Sequence, residues 1–120
     1  MDYASAEELI SSGSLDLQGE DVKLPSGKTV RVRGLSRFEL QLNGKGTEDS
    51  ALIEARNVAT CLVQPVLTLG QVQAWQRHSP AGGDFATLSV HIRNLSGLGE
   101  GADKSDPGSV GESGESEPVV

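Results

Sequence analysis

The spacing of apolar positions changes several times along this chain, and each change marks an element. Between residues 20 and 35 it is two. "EDVKL" and "TVRVR" flank Pro25-Ser26-Gly27-Lys28, where proline presets φ for a first corner and glycine can take the positive φ that follows. These runs predict a β-hairpin with Val30, Val32 and Leu35 on or near one face. Arg31 and Arg33 alternate on the other face and are expected to point at water.

Beyond Gly34 the spacing becomes helical. In "GLSRFEL", Ser36 is an N-cap, Glu39 its capping-box partner, and Leu35 can staple onto Leu40, so a helix begins at Arg37 and ends at "NGKG". "LTLGQV" repeats the device, with Leu67 before the cap, Thr68 as N-cap, Gln71 as its partner and Val72 one position on. Between these two, Thr47 is expected to cap a helix whose first turn holds Glu48 and Asp49. Its apolar positions are Leu52, Ala55, Ala59 and Leu62, and Pro65 is expected to stop it. A last helix starts near Asp84, carries Phe85, Leu88, Ile92 and Leu95 on one stripe, and ends at Gly97. Ahead of the hairpin, "SAEEL" has the capping-box form and predicts one or two helical turns, followed by a linker over residues 12–19.

The expected fold is therefore mainly α, an N-terminal β-hairpin followed by about four short helices. Its divisions are a weakly structured segment over 1–19, a folded domain over 20–98 and a tail over 99–120. Charge supports the last boundary. Residues 1–98 hold nine Lys or Arg against eleven acids, net −2, whereas residues 99–120 hold one Lys against six acids, net −5. That end is nearly all Gly, Ser, Pro and acid, a composition that does not recover its ordering entropy, and a disordered acidic tail is expected. With two Phe, one Trp and one Tyr in 120 residues, the core must be built from Leu, Val and Ile, and a monomer should be only marginally stable.

Candidate chemistry is sparse. Gly27-Lys28-Thr29 has the ending of a nucleotide-binding P-loop, but Val22 stands where the loop needs its first glycine, and Pro25 removes a backbone donor. Cys61 is the sole cysteine, lies in an apolar helical pattern and reads as a small core residue. His78 and His91 have no ligand at metal-binding spacing and read as surface residues, so neither a metal, a cofactor nor a catalytic residue is assigned, and an enzyme is not expected. No apolar run is long enough to cross a bilayer, and the acids in "MDYASAEELI" are unlike a signal peptide, which points to the cytoplasm. "LTLGQVQAWQR" has the look of a recognition helix, yet its only strong base is Arg77, and the net charge opposes DNA. The route left open to nucleic acid is the Arg31, Arg33, Arg37 cluster; no nucleic-acid partner is expected. Trp75 is the candidate anchor for a protein partner, with Val72 and Leu69 as candidate partner-binding residues on the same helix. The plainer role for Trp75 is to close the core over the last helix.

Taken in order, "GKTVRVRGLSRFE", a polar loop, a helix closing on "LVQPVLTLGQVQAW" and then "IRNLSGLGEG" resemble the small tail assembly chaperones of long-tailed, siphovirus-like bacteriophages. The resemblance covers about residues 22–98 and rests on order and spacing together. It implies a protein of the host cell cytoplasm that binds the phage tape measure protein, keeps it from aggregating and promotes tail tube polymerisation around it, with the major tail tube protein as a possible second partner. It also implies that a longer product can arise by frameshifting near the end of a short reading frame, whose terminus the acidic tail would fit. The alternative of the same size and location is a structural virion protein such as a head-tail connector or tail completion protein.

Overall fold

At residues 24–28 the chain turns as its residues dictate. The Gly27 N–H donates to the Leu24 carbonyl at 2.8 Å, the Leu24 N–H donates to the Lys28 carbonyl at 2.8 Å, and Gly27 sits at φ 95°. This turn joins β1 (Glu20–Lys23) to β2 (Thr29–Val32) in an antiparallel ladder that runs from Glu20 opposite Val32 to Lys23 opposite Thr29. The structure, a computed structural model, describes residues 2–99. From residue 100 onward the expected tail therefore lies outside the described residues.

Five helices are found among the described residues: α1 (Ala6–Ser11), α2 (Arg37–Asn43), α3 (Ser50–Cys61), α4 (Leu69–His78) and α5 (Asp84–Leu95). All three capping boxes read from the sequence are formed. Ser5 with Glu8, Ser36 with Glu39, and Thr68 with Gln71 each exchange side chain for backbone in both directions. Leu35 and Val72 are buried, and Leu40 and Leu67, their expected staple partners, pack against the same core.

Three expectations for the middle of the chain are corrected. The cap of α3 is Asp49, whose carboxylate accepts the Ala51 and Leu52 N–H groups, while Thr47 Oγ1 accepts the Asp49 N–H just ahead of it. A carboxylate is the stronger acceptor for helix N–H groups, so the acid takes the cap. The stripe of α3 that is buried is Ala55, Val58 and Cys61, with Leu52 and Ala59 only half-buried. Finally, α3 stops at Cys61, before Pro65, and the chain passes directly into a third strand, β3 (Leu62–Gln64). The fold is thus not purely helical: five helices accompany a small antiparallel sheet ordered β1-β2-β3. β3 pairs with β2 through Arg31 opposite Gln64 and Val32 opposite Leu62, and the Arg33 N–H donates to the Cys61 carbonyl at 3.0 Å. These ladder bonds satisfy backbone groups that would otherwise be left orphaned at a helix end.

The core lies between the sheet and the helices. Val22, Leu24, Val32 and Leu62 come from the sheet side, Val58 and Val72 from α3 and α4, and Phe85, Leu88 and Ile92 from α5. At its lower edge Gly34 passes so close to the end of α5 that an added Cβ would sit 2.6 Å from the Leu95 carbonyl oxygen. There the Leu35 N–H donates to Ser96 Oγ at 2.7 Å, and that hydroxyl donates to the Ile92 carbonyl. Arg56 of α3 donates to the Asn43 and Lys45 carbonyls, covering groups that the C-terminus of α2 leaves unpaired.

Candidate functional site: an apolar groove beside Trp75

The three candidate partner-binding residues share α4 but not an environment. Val72 is fully buried and belongs to the core, so it offers no surface to a partner. Leu69, in the first turn, is 37% exposed. Trp75 is half-buried and packs edge to face against Phe85, with ring centroids 5.1 Å apart and planes at 88°. Trp75 closes the core over α5 through Phe85, the plainer of the two expected roles, and its ring also lines a groove.

That groove, of about 350 Å³ and open to solvent, is walled by Leu24, Val30, Leu62, Pro65, Leu67 and Trp75. The hairpin turn forms one side, the β3–α4 connection the other, and Trp75 the wall between them. Two charged residues stand at its rim, Lys28 and Asp84. Asp84 is already engaged: one carboxylate oxygen accepts the Ser26 N–H at 3.0 Å and the other the Ser26 hydroxyl at 2.6 Å. Lys28 makes no ion pair among the described residues. These side chains supply apolar contact area, an aromatic wall and one cation, which is what an amphipathic segment needs from a docking surface. A smaller cleft of about 230 Å³ between α2, α3 and α5 has a more polar wall, with Ser50, Glu54, Asn57 and Arg93 on it.

The engagement of Ser26 also bears on the Gly-Lys-Thr ending. A phosphate cradle aims backbone N–H groups at an anion, whereas here the Ser26 N–H is given to a carboxylate of the protein itself.

The basic cluster is largely spent internally. Arg31 Nε pairs with Asp21 at 3.1 Å, and its Nη1 donates to the Gln18 and Gly19 carbonyls. Arg33, expected to face water, instead lies along the protein with its side chain 15% exposed, held by both oxygens of Glu39. That pairing, added to the Ser36 cap, draws the Glu39 carboxyl down to about 2 despite partial burial. Sequence spacing did not foretell it, because the pairing of Arg33 with Glu39 depends on how β2 and α2 meet around Gly34.

His91 Nε2 lies 2.8 Å from Glu20 Oε2, tying α5 to β1, while His78 is exposed at the end of α4. Among the described residues no group of three or more His, Cys, Asp or Glu could hold a metal ion, and no helix is long and apolar enough to cross a membrane. Cys61 is fully buried, and burial pushes its thiol up to about 12. No protein-family model, curated protein or solved structure matches this chain.

Proposed function

We propose that this protein is a phage tail assembly chaperone that binds the tape measure protein in the host cell cytoplasm and holds it in a soluble form while the tail tube polymerises around it. The observation that carries this reading is the groove beside Trp75, an apolar surface with an aromatic wall left uncovered in a small acidic protein. A tape measure protein is a long helical chain, and one of its apolar helix faces would lie in such a groove with its anchors at helical spacing. The sequence resemblance over residues 22–98 supplies the partner's identity. Trp75 is the anchor, because a large ring presents much contact area at small entropic cost. Leu69, partly exposed in the first turn of α4, and Val72, buried in the core, are not among the residues that line the groove.

The test is co-expression with tape measure fragments of the same phage. The fragment should move from the insoluble to the soluble fraction and be recovered in complex by affinity capture. Trp75→Ala should weaken recovery. A fragment that stays insoluble, with no complex captured, refutes the chaperone reading. Abundant protein in purified virions would instead favour a structural virion component.

A further inference from the structure

The helix of the N-terminal arm is folded but lies open to solvent. α1 has a complete capping box, yet none of its residues is buried, and its hydrogen bonds stay within residues 5–14. Four of the nine large apolar side chains that stand exposed among the described residues are on this arm: Tyr3, Leu9, Ile10 and Leu17. Ala6, Leu9 and Ile10 recur at helical spacing and make one apolar face. Residues 1–19 carry Asp2, Glu7, Glu8 and Asp16 and no Lys or Arg.

The groove beside Trp75 has the complementary character. Its walls are apolar, its rim acid Asp84 is already bonded to Ser26, and Lys28 is unpaired among the described residues. Lys23 lies across the ladder from Thr29 of the groove wall, and it too makes no ion pair among the described residues. The rim thus holds Lys28, with Lys23 beside it, as well as Asp84, whose charge the neutral Ser26 leaves in place, whereas the arm carries acids alone.

The root of the arm is fixed. Arg31 Nη1 holds the Gln18 and Gly19 carbonyls at 3.0 Å, and Gly19, at φ 71°, lies so close to the Val32 carbonyl that an added Cβ would collide with it. This root is at the Val32 end of the β1–β2 ladder, whereas Lys28 and Thr29 of the groove rim are at the turn end. We infer that the α1 arm of one copy docks in the Trp75 groove of a second copy, with Leu9 and Ile10 against the apolar walls and Glu7 facing Lys28. The contact is head to tail, so it propagates beyond a dimer unless the rotation closes. It also occupies the surface proposed for the tape measure protein, and a partner helix would displace it.

The experiment needs no tape measure protein, so its outcome is separate from that of the chaperone reading. Copies carrying Ile10→Cys are mixed with copies carrying Thr29→Cys under mild oxidation, Cys61 being buried. Disulfide-linked chains of one copy of each are expected. Sedimentation of the natural chain should show association that grows with concentration. Ile10→Ser, at an 81% exposed position that leaves the fold untouched, should weaken it by roughly tenfold. Lys28→Glu should weaken it as well, and adding Glu7→Lys should restore it. A chain monomeric at all concentrations, association unchanged by Ile10→Ser, or no disulfide between the two kinds of copy would each overturn the proposal.

Discussion

Arg33 grips Glu39 through two guanidinium nitrogens, each 2.9 Å from a different carboxylate oxygen, and one of those oxygens also accepts the Ser36 N–H at 3.0 Å. One carboxylate therefore closes the cap of α2 and anchors the exit of β2. The two jobs share a single charge, which makes this corner of the fold sensitive to acid.

Because the Glu39 carboxyl is lowered from 4.5 to about 2 in the folded chain, its contribution is complete above the unfolded value and is lost as pH falls from about 5 toward 2. After allowance for solvent screening at this partly exposed pair, the loss is about 1–3 kcal/mol. Urea midpoints at pH 7 and pH 3 should show it, and Glu39→Gln should be less stable at pH 7 and lose less on acidification. An identical acid slope in Glu39→Gln would remove Glu39 from the account.

Gly34→Ala should destabilise the protein by about 1–3 kcal/mol, since the new methyl group meets backbone at the end of α5 and the β2–α2 junction must shift. Gly82→Ala is the control. Nothing lies within 4 Å of the Cβ it would add, so its melting temperature should be unchanged or slightly higher.

Cys61 should be inert toward a thiol reagent at pH 8 in the folded protein and react in full once the chain is unfolded in urea, because burial both shields the sulfur and raises its pKa to about 12. Rapid labelling under native conditions would place Cys61 outside the core.

Millimolar ATP or GTP should leave the melting temperature unchanged, since the turn that carries Gly27-Lys28-Thr29 directs the Ser26 N–H to Asp84. Asp84→Ala removes that tie and the acid in the first turn of α5, and should cost about 1–2 kcal/mol. A nucleotide-dependent rise in melting temperature would restore the phosphate reading.

Much of this protein could be read from the chain because the signals are local. A capping box involves residues three apart, so Ser5, Ser36 and Thr68 announce their helices wherever those helices end up. The hairpin turn is written in Pro25 and Gly27, and the Phe85, Leu88, Ile92 stripe in the spacing of α5. Other features exist only through partners distant in sequence. Leu62–Gln64 is too short for an alternating pattern to be seen, and it becomes a strand because β2 lies beside it to accept and donate. Whether Arg33 faces water or Glu39, and which stripe of α3 turns inward, depend on where the neighbouring elements sit. On α4 the same holds: Val72 and Trp75 are both apolar, and the placement of α3, α5 and the hairpin leaves Val72 wholly in the core and part of Trp75 on the groove wall. Periodicity identifies an apolar face, but the division of that face between interior and groove is set by packing, because only the assembled neighbours decide which part of it is covered.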